Sequence, residues 1–166
     1  MDRLWAPWRL SYVAGARPTD EKDSCFLCRG LADQNDRENL LVWRGSHSVV
    51  VLNRFPYNNG HLLIAPNAHK AELHDLSVEE STEMQQVMAK LIGLLRGMMK
   101  PDGFNIGMNL GRAAGAGLPG HLHWHVVPRW SGDTNFMAVC ADTRVIVQSL
   151  DELYTLLTTR LAEAQG

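Results

Sequence analysis

Apolar positions along this chain follow two periods, and the change from one to the other predicts the fold. "LLVWR" (40–44) and "HSVVVLN" (47–53) are short apolar runs on either side of Gly45-Ser46, which predicts two strands joined by a tight turn. "FPYNNG" (55–60) is a loop by its Pro, Asn and Gly content, and "HLLIAP" (61–66) is a third strand stopped by Pro66. The period then lengthens. Met84, Val87, Met88, Leu91, Leu94, Leu95 and Met98 recur at i, i+3, i+4, i+7, one apolar stripe of a helix over 77–99. Ser77 with Glu80 opens that helix as a capping box, Lys100-Pro101 and Gly103 close it, and its methionines read as core packing.

Alternation returns in "FNIGMNL" (104–110), followed by the Gly-rich loop "GRAAGAGLPG" (111–120) and a strand "HLHWHVVP" (121–128). "TRVIVQ" (143–148) reads as a short strand, and Ser149 with Glu152 opens a last helix over 150–163. Consecutive strands are joined by short turns. The order of elements therefore predicts an α+β domain: a mostly antiparallel sheet with one long helix packed on it and a C-terminal helix. Residues 1–24 read as an extended N-terminal arm whose Trp5 and Trp8 need covering; residues 25–166 read as a single domain.

Composition narrows the function without choosing it. The 166 residues suffice to bury a core, and 45% of them are hydrophobic. Lys+Arg of 16 against Asp+Glu of 18 gives a net charge of −2, which argues against coating nucleic acid or an anionic membrane but not against a small anion in a local pocket. No apolar run reaches the roughly 18 residues of a membrane span, and "MDRLWAPWRLSYV" lacks the apolar segment of a signal peptide, so a cytoplasmic location is expected. Cys25 and Cys28 form a C-x-x-C, which in a reducing compartment points to metal or redox chemistry; Cys140 has no partner in sequence.

Three of the chain's seven histidines, His121, His123 and His125, occupy alternate positions of one predicted strand. Alternation turns them to one face, about 6.5–7 Å apart, with Leu122, Trp124 and Val126 turned to the other. Three imidazoles in a row suit a metal site or a catalytic row in which the central ring is the nucleophile. The loop before them favours the catalytic reading: four glycines in ten residues let a ligand approach the backbone, whose N–H groups can cradle phosphate, and Arg112 and Arg129 bracket the row with positive charge.

The segment "HLHWHVV" matches the H-φ-H-φ-H-φ-φ signature of the histidine-triad superfamily of nucleotide hydrolases and transferases. "VVVLNRFPYNNGHLLIAPNAHKAELHDLS" is similar to the superfamily's strand–loop–strand before its long helix, and "GFNIGMNLGRAAGAG" to the strand and loop before its triad. The resemblance covers residues 25–150, and the nearest branch is the fragile-histidine-triad and diadenosine-polyphosphate hydrolase or phosphorylase group. It implies a nucleotide substrate cleaved at an α-phosphate, with His123 as the attacking nucleophile and His125 on the phosphate. It also implies that the backbone of Gly115, Ala116, Gly117 and Leu118 binds non-bridging oxygens, that Asn53 holds the ribose, that Asn109 lies near the scissile phosphate, and that His61 is an active-site wall. Trp130 is a stacking partner or a piece of interface. Other activities consistent with the resemblance are a purine nucleoside phosphoramidase and a nucleotide-sensing module with weak chemistry.

The zinc-bearing branches of the superfamily imply a structural zinc site on Cys25, Cys28, His69 and His121, which would pin the arm to the sheet and leave His123 as the nucleophile. His125, where the uridylyltransferase branch has Gln, argues for hydrolysis or phosphorolysis. Several branches carry Ser, Thr or Gln three or four residues before the first triad histidine to help the leaving group; here those positions are Leu118 and Gly117, which leaves that role unassigned. The resemblance also implies a homodimer.

Overall fold

The computed structural model describes residues 25–133 and 146–163. The N-terminal arm and Cys140 lie outside the described residues, as do 143–145. Helix α1 (Phe26–Ala32) comes first, followed by strands β1 (Leu41–Arg44), β2 (Ser48–Leu52) and β3 (Leu62–Pro66). The long helix α2 (Val78–Met99), strands β4 (Gly103–Met108) and β5 (Trp124–Arg129), and helix α3 (Leu150–Glu163) complete the order. The strands form one sheet in the order β1-β2-β3-β5-β4, and every pairing is antiparallel. The expected α+β architecture is therefore observed.

The two faces of the sheet bury different things. Val50 and Leu52 of β2, Leu62 and Ile64 of β3, and Val126 of β5 meet Met84, Val87, Met88, Leu91 and Leu95 of α2 and Leu153, Tyr154, Leu157 and Leu161 of α3. The predicted methionines do pack in the core. The alternate residues Val49, Val51, Leu63 and Ala65 face the other way, onto Cys25, Leu27 and Leu118. That second, smaller cluster carries the site. Helix α2 begins as the sequence predicts: Ser77 accepts from the backbone N–H of Glu80, and the Glu80 carboxylate accepts from the backbone N–H of Ser77. Lys100 closes it in the left-handed conformation.

Three features differ from the sequence expectation. The paired part of the triad strand starts at Trp124, so His121, Leu122 and His123 precede the ladder. Helix α1 was not predicted; with seven residues it is too short to display a period, and only Leu27 and Leu31 hint at one. Residues 146–148 of the expected strand 143–148 are not strand but a bend leading into α3, with Val147 80% exposed.

Candidate active site and metal centre

The end of β3, the start of α1 and the approach to β5 meet at one cluster. Cys25 caps the N-terminus of α1, where its sulfur accepts from the Cys28 N–H at 3.4 Å. One turn spans the pair, so both sulfurs face the same way. The Nδ1 of His121 lies 3.3 Å from the Sγ of Cys25 and 3.5 Å from that of Cys28, and the Nδ1 of His69 lies 3.2 Å from the Sγ of Cys28. All four ligand atoms fall within 4.8 Å of one another.

The other nitrogen of His121, Nε2, donates to the Pro66 carbonyl at 2.9 Å, which fixes the lone pair on Nδ1, toward the sulfurs. Two thiols and two imidazoles are the donor set of a closed tetrahedral zinc site. Zinc's usual bond lengths give a sulfur–nitrogen edge of about 3.5 Å, which the observed separations match. The residues present therefore fit a metal ion. Burial holds the His121 imidazole down to about 4, against any proton on the ligand nitrogen near neutrality.

The second and third histidines do different work. His123 is 7% exposed, and its Nδ1 donates to the backbone carbonyl of His121 at 2.8 Å. Its proton is thereby placed on Nδ1 and its lone pair on Nε2. Burial keeps this ring neutral by pushing its pKa below the usual imidazole range.

His125 is set by a chain of hydrogen bonds. The backbone N–H of Tyr57 donates to Nδ1 of fully buried His61 at 3.0 Å, and the Asn53 amide nitrogen lies 3.2 Å from the same atom. With Nδ1 of His61 an acceptor, its proton sits on Nε2, which donates to Nδ1 of His125 at 2.9 Å. Neutral His125 then carries its own proton on Nε2. Burial, together with the neighbouring His123, brings its pKa down to about 4. The rings of His123 and His125 are 5.0 Å apart, so a nitrogen lone pair and an N–H donor stand side by side. This is the arrangement that attack on a phosphorus atom and stabilisation of its oxygens require.

The remaining expected site residues fall in several places. Asn53 meets His61, as described, and its Oδ1 accepts from the Phe55 N–H at 2.9 Å. Asn109 is half-buried, directly after β4. Arg112 opens an exposed 3-10 turn (Arg112–Ala114) in the Gly-rich loop. The amides of Gly115 and Ala116 donate to the carbonyls of Arg112 and Gly111, so these two serve the loop's own fold. Gly117 is exposed, and the side chain of Leu118, 5% exposed, is a core residue rather than a lining one. Arg129 is bound by Asp133 at 2.6 Å and also donates to Asn105, so the charge expected to bracket the row is spent in an ion pair. The Trp130 indole N–H donates to the Met99 carbonyl at the end of α2.

Tyr57, which no sequence signal marks, also belongs to this site. Its ring centroid is 4.6 Å from that of His61 and 5.7 Å from that of His125, stacked on the latter at 22°. The "PYNNG" composition marks a loop and conceals this contact; only its place four residues before His61 could have pointed to it.

The sequence model of the HIT domain family matches residues 34–132. The AP-4-A phosphorylase of Mycobacterium tuberculosis is 40% identical over 166 residues, covering 98% of this chain and 85% of the relative. The adenosine 5'-monophosphoramidase of Schizosaccharomyces pombe is 26% identical over 106 residues, 64% of this chain and 74% of that protein. Among solved structures, a zinc-bound histidine triad family protein from Mycobacterium smegmatis superposes with a TM-score of 0.67 at 27% identity, over 87% of this chain and 98% of that one. The spacing of the triad, the antiparallel sheet that carries it and these matches agree, and this chain belongs to the HIT domain family.

Proposed function

We propose that this chain is a dinucleoside-polyphosphate phosphorylase acting on diadenosine tetraphosphate through His123. The observation that carries the reading is the setting of His123: a buried imidazole whose Nδ1 lies 2.8 Å from a carbonyl, which places the proton there, and whose Nε2 meets no partner among the described residues. The 40% identity to an AP-4-A phosphorylase over nearly the whole chain supports the choice of substrate and of phosphate as acceptor.

In the first step the Nε2 lone pair of His123 attacks an α-phosphorus. The P–N bond forms, the bond to the bridging oxygen breaks, and ATP departs with that electron pair. In the second, an oxygen of inorganic phosphate attacks the same phosphorus, the P–N bond breaks, and ADP leaves with His123 restored. His125 donates from Nε2 to a phosphate oxygen in both steps. Asn53 takes the ribose hydroxyls, Asn109 approaches the phosphate, and the loop amides beyond Ala116 receive the non-bridging oxygens. The polyphosphate is a good leaving group, which suits a chain whose position 118 is a core leucine.

Cys25, Cys28, His69 and His121 would hold zinc. Held there, it would stiffen the start of the triad at His121. The chain acts as a cytoplasmic homodimer; edge strand β4, with Ile106 43% exposed, is the surface on which a second sheet would add.

Incubation with diadenosine tetraphosphate, with and without inorganic phosphate, tests the reading. ADP plus ATP formed only with phosphate is the expected result, with His123→Ala reduced at least about 10³-fold. AMP plus ATP regardless of phosphate would make the chain a hydrolase. Turnover by His123→Ala equal to wild type would overturn the mechanism. The same assay on adenosine 5'-monophosphoramidate separates the activity of the 26% identical relative.

A further inference from the structure

We propose that Tyr57 is a positioning residue: by clamping the His61–His125 pair, it holds the proton of His125 on Nε2, aimed at the phosphate. The proposal rests on the function given above and adds a residue to it.

Tyr57 acts on the pair in two ways. Its backbone N–H donates to Nδ1 of His61, which sets the direction of the chain Tyr57 → His61 → His125. Its ring then covers both imidazoles, tilted at 39° over His61 and nearly parallel, at 22°, to His125. The hydrogen bond to Nδ1 sets which way round the His125 ring sits, and the stacked ring resists tilting of that imidazole out of line with the bond. His61 cannot turn, being fully buried in β3's approach; His125 is only partly buried, so the stack has most to do there.

The loop is built to keep Tyr57 in place. On one side Asn53 accepts from the Phe55 N–H. On the other, Asn58 donates to Asp133 at 2.7 Å and to the Pro128 carbonyl at 3.2 Å. Gly60 then turns at φ +77°, where a Cβ would also press on Pro128 at 3.1 Å and on the Met99 sulfur at 3.2 Å. The loop is thus turned locally at its start and tied at its far end to β5 and Asp133, and the tyrosine ring is the part of it that reaches the triad. The aromatic ring makes the described side-chain contacts to His61 and His125.

The test compares Tyr57→Phe, which keeps the ring, with Tyr57→Leu, which removes it. Phe is expected to match wild-type kcat within twofold. Leu is expected to lose roughly tenfold in kcat, the scale of one aromatic pair, with KM within threefold. The ¹⁵N signals of the histidine side chains provide a readout independent of turnover. Wild type and Tyr57→Phe should show His125 protonated on Nε2 alone, and Tyr57→Leu a mixture of the two tautomers. Wild-type kcat and an unchanged His125 tautomer in Tyr57→Leu would overturn the proposal, as would a loss in Tyr57→Phe as large as in Leu. Unfolding midpoints of both variants show whether a loss reflects the fold. If wild type itself fails to turn over diadenosine tetraphosphate, the proposed function fails, while the ¹⁵N comparison still decides the role of Tyr57.

Discussion

At the scale of single residues, this site depends on which nitrogen holds which proton. Burial and the nearby His123 put the pKa of His125 at about 4 in the fold, against an ordinary imidazole value of 6.5. Between those values the unfolded chain binds a proton that the folded chain refuses, so stability rises with pH across that range and is lost as pH falls through it. Urea midpoints taken from pH 7 down to pH 4.5 should therefore fall for wild type, and fall less steeply for His125→Gln, which has no such proton to refuse. Equal slopes for the two proteins would contradict the neutral, buried state of His125. Leu118 gives the opposite kind of prediction, because its side chain lies against Leu41, Val49, Val51 and Leu63. Leu118→Ala should cost about 2–4 kcal/mol in urea unfolding, and Leu118→Met under about 1.5 kcal/mol. Position 118, to which the sequence assigns no leaving-group role, is part of the core in this chain.

At the scale of elements, the β1–β2 turn is held by the long helix. Glu83 of α2 accepts from the backbone N–H of His47 at 3.0 Å, the N–H of Ser48 at 2.8 Å and the Ser48 hydroxyl at 2.7 Å. Burial pushes the Glu83 carboxyl up, and the Ser48 hydroxyl with the His47 and Ser48 amides more than offsets this, leaving it below the usual range. Gly45 leaves room for the contact; a Cβ there would collide with Glu83 and with the Trp43 ring. Glu83→Gln replaces the charged acceptor and should cost about 1–3 kcal/mol at pH 7, read from chemical denaturation. A variant as stable as wild type would show the turn to be held by the strands alone.

The sequence shows the turn at Gly45-Ser46 but not what holds it, because Glu83 is 35 residues away from Ser48. Signals that lie within one element were legible: the Ser77–Glu80 capping box, the methionine stripe of α2, the apolar runs of β2 and β3. Signals that need two elements were not. Arg129 reads as a free cation until Asp133 folds back on it. By alternation alone the histidines read as one row; the family resemblance set His121 apart with Cys25, Cys28 and His69, and the fold brings those four together across the 96 residues between Cys25 and His121.

At the scale of the whole molecule, the cysteine–histidine cluster joins three separate parts of the chain. Cys25 and Cys28 bring α1 onto the sheet, His69 comes from the segment after β3, and His121 stands before β5. Leu122 donates to the Lys70 carbonyl at 2.7 Å, and the Lys70 ammonium pairs with Glu80 in the first turn of α2, so the start of the long helix is tied to the same place. A metal bound to this cluster in the fold but not in the unfolded chain stabilises the fold by mass action, by about 4 kcal/mol when the free ion stands a thousandfold above its Kd. Prolonged chelation should thus lower the urea midpoint, and zinc added back should restore it. Cys28→Ser should lack bound metal and show the lower midpoint without chelation. In the proposed mechanism catalysis has a different dependence, because His123 takes its tautomer from the backbone carbonyl of His121 and not from the ion. Brief chelation at low temperature should leave most turnover intact, with activity lost only as the apo fold opens on warming. Immediate loss of turnover with the fold unchanged would instead place the metal in the chemistry.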